Sequence, residues 1–251
     1  MREILVAAAI FVCLVAAAIG SLVFSQKLPA RYRDDDTHNV VRLAANIFVV
    51  TTSLVLGLLI NSSKNTYEAV DRNMHAFATD LILLDRSLRH YGPETADVRQ
   101  RLAAYIRKAV DGTWPASGSP VLDDRAAEHL LDDVAAALTA IRPSDPARAE
   151  LWRQAEVNFQ NVVKRRWVLI EESEGTIPAV FLVMLVMWLI LIFASYGFRA
   201  PRNALVVTTL VMAALLIAGS IYLILDMDVP FSGPIQISPA PLLRALEQLR
   251  S

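Results

Sequence analysis

The chain has 251 residues, of which 55% are hydrophobic and 20% charged, and its formal net charge is −1. This composition is too apolar for an ordinary soluble domain and too charged for a bare bundle of membrane helices. The near-neutral charge argues against nucleic-acid binding, which needs a basic surface. Because Cys13 is the single cysteine and the four histidines show no ligand spacing, we predict no intrachain disulfide, metal or other cofactor.

The apolar residues are concentrated in four stretches, each close to the length of about 20 residues that crosses a bilayer. They are residues 4–24, 43–60, 177–198 and 204–225. The first is too long for the apolar region of a signal peptide, and no convincing cleavage site follows before Lys27, so we predict a retained helix. Almost all the charge lies between the stretches, which predicts an integral membrane protein.

The four spans predict two transmembrane hairpins that flank one extramembrane domain. The predicted divisions are a first hairpin at 1–61, a helical domain at 62–176, a second hairpin at 177–225 and a C-terminal segment at 226–251. Basic residues near the membrane are almost evenly divided between its two sides, so the positive-inside rule does not choose an orientation.

The extramembrane domain is predicted to be helical, so that the whole chain is all-α. No Gly or Pro occurs between Leu58 and Tyr91, and Gly92-Pro93 follows, so one helix is predicted over 43–91. Its apolar residues recur at heptad spacing. They are Tyr67, Val70, Met74, Phe77, Leu81, Leu84, Leu88 and Tyr91. Such a seam is typical both of a bundle core and of a contact between subunits, and the sequence leaves both open.

Three more helices complete a predicted antiparallel bundle rooted in the membrane. They cover 95–110, 123–141 and 147–174, and the breaks between them contain Gly112, Pro115, Gly118, Pro120, Pro143 and Pro146. The apolar faces predict a core that includes Phe77, Leu81, Leu84, Trp152 and Phe159.

The segment after the last span is the strongest candidate for a functional element. Asp226 and Asp228 come at a helix C-terminus, where the macrodipole disfavours negative charge. Pro230 and Gly233 predict that the chain leaves the helix and turns, with Phe231 in an apolar niche. Four interpretations are open for the acids: markers of the water interface, a packed turn, an ion path or a lipid-headgroup contact.

Bases that could pair with these aspartates come from two places near the membrane. If the spans form two hairpins, the second and fourth spans end on the same membrane face, so a base there could meet Asp226 or Asp228. The candidates are Lys64, Lys164, Arg165 and Arg166. The basic run could instead contact lipid phosphates, and acids that stay in water would gain at most about 1 kcal/mol from a pair.

The spans carry a few polar residues and almost no charge. They are Asn46, Thr51, Thr52, Thr208 and Thr209. We expect such residues to bond between helices rather than to conduct ions. The lack of intramembrane charge disfavours a coupled transporter but is compatible with a channel. The run Asp34-Asp35-Asp36 lacks a calcium-loop pattern, and no catalytic motif is present, so we predict that the chain is not an enzyme.

The order of these elements resembles the bacterial bestrophin-like membrane proteins from about Ala45 to the end. Tyr196-Gly197-Phe198 and the segment at 225–237, of the type Leu-Asp-x-Asp-x-Pro-Phe-x-Gly-x-Ile, carry the resemblance. It implies a multi-pass protein of the bacterial inner membrane, in contact with lipids. Bestrophins are pentameric anion channels with four membrane helices per subunit and a cytosolic helical domain. The resemblance therefore implies a homo-oligomeric anion channel, and the alternative is a non-transporting sensor or scaffold whose bundle binds a partner or ligand.

Overall fold

The structure, a computed structural model, describes residues 2–24, 35–115, 125–173, 175, 177–198, 200–201 and 203–250, with side chains omitted at 35–39, 41 and 42. Within these ranges the chain is all-α, without strands. The helices are α1 (Arg2–Phe24), α2 (Asp35–Tyr91), a 3-10 turn (Pro93–Thr95), α3 (Ala96–Thr113), α4 (Arg125–Ala140), α5 (Pro146–Ser173), α6 (Ala179–Gly197), α7 (Ala204–Asp228) and α8 (Ala240–Arg250).

The chain folds into two compact units. The apolar unit comprises Met1–Asn65 and Thr176–Asp228, and the bundle unit comprises Thr66–Gly175 and Val229–Ser251. Helix α2 contributes to both units and continues without a break between Ile60 and Tyr67, as its sequence predicts. It begins at Asp35 rather than at Leu43, because no helix breaker intervenes and the acidic residues at its start suit the positive end of the helix dipole.

The apolar unit is built around α1, which packs against both α6 and α7. One helix of the predicted first hairpin therefore lies against both helices of the second. The buried residues of α1 recur every three or four positions, as one helix face requires. They are Ala7, Ile10, Leu14, Ala18 and Leu22. Four helices of the described chain, α1, α2, α6 and α7, are long and apolar enough to cross a membrane.

The contact between α1 and α6 is close enough to involve backbone atoms. Ser21 donates its hydroxyl to the Ala194 carbonyl oxygen at 2.5 Å, which joins the two helices. A Cβ atom on Gly197 would overlap the carbonyl oxygen of Ala18. The small residues at this crossing therefore set how closely the helices approach, as in membrane-helix packing generally.

Replacing Gly197 by alanine should consequently push α1 away from α6. We expect Gly197→Ala to lower the free energy of unfolding by about 1–3 kcal/mol, the usual cost of overpacking. Thermal unfolding of the purified protein in detergent would measure the loss. Gly219→Ala on α7 is the matched control, because its new methyl group meets nothing within 4 Å beyond the backbone of its own helix. Equal unfolding midpoints for the two variants would contradict the close-approach interpretation.

The heptad seam of α2 lies in the core of the bundle unit. Val70, Leu81, Leu84 and Leu88 are completely buried within a single chain. The seam is therefore an intramolecular core, which resolves the choice that the sequence leaves open. Phe77 and Phe159 are also buried, as predicted.

Trp152 is of intermediate burial and packs against this core, at its edge. Its indole Nε1 donates to the Leu138 carbonyl oxygen at 3.2 Å, which holds the ring at the edge of the core rather than inside it. A tryptophan often lies in this way, with its polar atom satisfied and part of its ring exposed.

Two helix ends depart from the predicted boundaries. Helix α3 runs through Gly112 to Thr113 and stops before Pro115, so Gly112 is helical rather than part of a loop. Helix α5 begins at Pro146, where the Asp145 carboxylate accepts the Arg148 backbone N–H at 2.9 Å. Proline is suited to the first helical position because it needs no hydrogen-bond acceptor there. The predicted loop positions Gly118 and Pro120 and the predicted helix start at Asp123 lie outside the described residues.

Helix α8 is absent from the predicted elements, although it completes the bundle core. Its buried residues include Leu242, Ala245, Leu246 and Leu249. The carboxylate of Asp85, itself 3% exposed, accepts hydrogen bonds from Arg89 at 2.8 Å and Arg99 at 2.7 Å. The same two arginines donate to the carbonyl oxygens of Gln248 and Leu249. This ionic cluster therefore ties the end of α8 to α2 and α3.

Candidate functional site: the C-terminal turn

Both candidate aspartates lie inside the last turn of α7 rather than beyond it, because the helix extends to Asp228. Asp226 is 2% exposed and its Oδ1 accepts the Tyr222 hydroxyl at 3.3 Å. Asp228 is 5% exposed, and its Oδ2 accepts the backbone N–H of Ile177 at 3.3 Å. Ile177 lies two residues before α6 begins at Ala179, so Asp228 connects the end of α7 to the entry of α6. Such burial does not fit carboxylates that simply mark a water interface.

A turn follows directly after α7. Ser232 donates its backbone N–H to the Val229 carbonyl oxygen at 3.1 Å, and Ile237 donates to that of Pro230 at 2.9 Å. Gly233 has a φ of 88°, a conformation that favours glycine. The turn at Pro230 and Gly233 therefore has the local chemistry that the sequence indicates, and it leads towards α8.

Phe231 anchors this turn in the core of the bundle unit, where it is 3% exposed. Its ring meets that of Trp114 edge to face, with 5.7 Å between the centroids. The Trp114 indole Nε1 in turn donates to the Ile237 carbonyl oxygen at 2.7 Å. The Tyr67 hydroxyl lies 3.5 Å from the Gln236 carbonyl oxygen. Burial, helped by the negative charge of Asp71, raises the pKa of Tyr67, so the hydroxyl stays protonated and able to donate.

The four candidate bases have different surroundings. Lys64 and Lys164 are exposed. Arg165 forms an ion pair with Asp80 at 3.2 Å and also donates to Asn73 Oδ1 at 3.2 Å, so its contacts lie within the bundle. Arg166 is buried at 5% exposure. A pair between one of these bases and Asp226 or Asp228 stays a prediction.

The polar residues of the apolar helices bond mostly within their own helix. Thr51 donates to the Ile47 carbonyl oxygen at 3.0 Å, and Thr209 donates to that of Leu205 at 2.9 Å. The sequence analysis predicts bonds between helices for these residues. The observed bonds of Thr51 and Thr209 are instead local, because a hydroxyl in a helix easily reaches the carbonyl oxygen four residues earlier. Asn46 and Thr208 are exposed. Thr52 is buried, and its Oγ1 has no partner among the described residues.

The sequence analysis does not identify Arg166 as a core residue, although a signal for it exists. The buried residues of α5 follow helical spacing through Ala155, Phe159, Val162, Arg166 and Leu169. Arg166 therefore occupies an apolar register, where a charged residue is uncommon. No group of three or more His, Cys, Asp or Glu side chains in the described part of the chain could hold a metal ion. In the acidic run Asp34-Asp35-Asp36, Asp34 and the side chains of the other two aspartates lie outside the described part.

The fold defines an all-α protein with four apolar helices of membrane-spanning length and a separate helical bundle. The chain belongs to the Bestrophin-like family, since the profile of the Bestrophin-like domain matches residues 12–242. Its fold is similar to the crystal structure of a bacterial bestrophin homologue from Klebsiella pneumoniae that carries a tyrosine-to-alanine mutation. That match has a TM-score of 0.67 and 12% sequence identity, and it covers 99% of this chain and 98% of the other. No curated protein has a significantly similar sequence.

Proposed function

We propose that this chain is a multi-pass protein of the bacterial inner membrane whose copies assemble into an oligomeric anion channel. The observation that carries the proposal is the match to the Bestrophin-like domain over residues 12–242, combined with four helices long and apolar enough to cross a membrane. In this proposal the bundle unit lies in the cytoplasm and the apolar unit lies in lipid. Ions pass through a pore that several copies of the chain form together.

The surface of the apolar unit supports a lipid environment. Leu5, Val50, Val180 and Leu205 are each at least 70% exposed, and they come from all four apolar helices. A water-soluble monomer rarely exposes so much apolar surface, so these faces fit acyl chains or neighbouring subunits. The hydroxyls of Thr51 and Thr209 are already bonded within their helices, so lipid or a neighbouring subunit can cover them at low cost.

Reconstitution tests the channel proposal directly. Light scattering in detergent would measure the molar mass of the purified protein and so its oligomeric state. The protein would then be inserted into liposomes loaded with a halide-sensitive dye. A homo-oligomer that passes halide faster than protein-free liposomes supports the proposal. A monomer without flux contradicts it.

The same assay tests a role for the two aspartates in the ion path. Asp228→Asn keeps an oxygen for the Ile177 N–H but removes a charge, and Asp226→Asn does the same beside Tyr222. We expect normal assembly with flux changed about tenfold. A tenfold change in rate corresponds to a change of about 1.4 kcal/mol in the energy barrier. The interaction between one carboxylate charge and a permeating ion about 10 Å away has this size in a medium of dielectric constant near 20.

Asp97→Asn is the control for this pair, because Asp97 is an exposed acid of α3 that pairs with Arg101. It should leave both assembly and flux unchanged. If Asp226→Asn and Asp228→Asn behave like this control, the aspartates have a role in packing alone.

A non-transporting sensor or scaffold is the second candidate function. An open groove of about 410 Å³ on the bundle surface favours it. The groove lies between α2 and α5 and is lined by Leu83, Arg86, Ser87, His90, Leu151, Gln154 and Asn158. Its mixed polar and apolar lining suits a peptide or small polar ligand. An assembled protein that leaves liposomes impermeable to halide would favour this candidate over a channel.

A further inference from the structure

A small cavity lies inside the bundle unit, separate from the C-terminal turn. Its volume is about 40 Å³. Phe77, Leu169 and Leu242 form part of its apolar wall. A single water molecule needs about 10–15 Å³ on the same measure. The cavity therefore has room for a monatomic ion with a little water, but not for an organic molecule.

The polar part of the cavity lining is electropositive. Arg166 lines the cavity and is 5% exposed, and its buried Nη2 has no hydrogen-bond partner among the described residues. Lys108 also lines the cavity, where it is engaged in an interaction of its own. None of the lining residues that the structure describes carries a carboxylate. A buried guanidinium is costly when no carboxylate stands beside it in the described lining, so this arrangement favours a negatively charged ligand.

Two hydroxyl groups accompany these charges. Tyr105 is 1% exposed and Thr113 is 7% exposed, and both line the cavity. Burial raises the pKa of Tyr105, an effect that the neighbouring Arg166 offsets only in part, so its hydroxyl stays protonated and can donate a hydrogen bond. Donors of this kind, set around an arginine in an apolar pocket, stabilise an anion.

We propose that this cavity binds one small monovalent inorganic anion of the halide class, held by Arg166 with the Tyr105 and Thr113 hydroxyls. The bound ion balances the buried charge and joins α3 to α5 inside the bundle. This site lies within one chain and does not depend on whether the protein conducts ions.

Anion-dependent unfolding of the full chain in detergent tests the proposal. Sodium chloride would replace sodium gluconate at constant sodium concentration, and the unfolding midpoint would be followed by tryptophan fluorescence. A ligand that binds only the folded state raises the midpoint with its concentration, by mass action. We expect a saturable rise with chloride and with bromide, and none with sulfate. No saturable rise would mean that the cavity holds water only, and would overturn the proposal.

Variants locate the effect. Arg166→Gln should abolish the chloride dependence, whereas Arg165→Gln, which changes the adjacent arginine paired with Asp80, should keep it. Tyr105→Phe should raise the dissociation constant for chloride about tenfold by removing one donor. Equal chloride dependence in the native protein and Arg166→Gln would overturn the proposal.

A structural measurement keeps the test decisive if Arg166→Gln does not fold. Crystals of the native protein grown with bromide would be measured at the bromine absorption edge. An anomalous peak within hydrogen-bond distance of Arg166 Nη2 is the expected result. Ordered bromide elsewhere, without a peak in this cavity, would overturn the proposal.

Discussion

Phe77→Ala should lower the free energy of unfolding by about 3–5 kcal/mol, the usual cost of removing a buried aromatic ring. Phe77 is 4% exposed and belongs to the largest apolar cluster of the bundle unit. The ring packs in the seam of α2, so its removal leaves a cavity that the surrounding helices fill only in part. Chemical denaturation of the purified chain in detergent, followed by tryptophan fluorescence, would measure the change.

Leu83→Ala provides the control for this measurement. Leu83 lies on the same helix but is 44% exposed, so we expect a change within about 0.5 kcal/mol. Light scattering of each variant would report its mass. If Phe77→Ala unfolds like the native protein while its oligomer dissociates, the seam joins subunits and the intramolecular core is wrong.

The parts of the fold that the sequence predicts correctly depend on periodicity. The apolar spans and the seam containing Leu81, Leu84 and Leu88 are visible because burial of one helix face requires apolar residues every three or four positions. Gly92 ends α2 for an equally local reason, since its φ of 132° favours glycine. These features can be predicted without knowing which other helix packs against each one.

The elements that the sequence analysis misses depend on partners distant in the chain. Helix α8 has only 11 residues, so its short apolar pattern carries little weight beside the long helices. Its position comes from Arg89 and Arg99, which donate to its last carbonyl oxygens and are themselves held by the Asp85 carboxylate. Local patterns do not show which arginines will meet that carboxylate.

In the candidate site, too, some features follow from the local sequence and others depend on residues distant in the chain. The turn at Pro230 and Gly233 follows from the special backbone chemistry of the two residues. The burial of Asp226 and Asp228 depends instead on where α7 ends and on the Ile177 N–H of another segment. Their position at a helix C-terminus indicates that the acids need donors, but the sequence does not identify those donors.

Phe231→Ala should also cost about 3–5 kcal/mol of the free energy of unfolding. The ring is buried in the bundle core and meets Trp114 edge to face, so truncation removes both apolar contact and the ring pair. Loss of this anchor should also weaken the bond from Trp114 to the Ile237 carbonyl oxygen, which holds the chain that leads to α8. The same denaturation experiment would measure the loss, and hydrogen exchange of α8 amides would show whether that helix opens first.

Two milder substitutions separate the contributions to this anchor. Phe231→Leu keeps an apolar side chain but removes the ring pair, which contributes about 0.5–1.5 kcal/mol beyond area burial. Ser232→Ala removes only a weak bond from its hydroxyl to the Val229 carbonyl oxygen at 3.4 Å and should be nearly neutral. The expected order of destabilisation is Phe231→Ala, then Phe231→Leu, then Ser232→Ala. If Phe231→Ala is as mild as Ser232→Ala, Phe231 is not the anchor of the turn, and α8 depends on the ionic cluster at Asp85 instead.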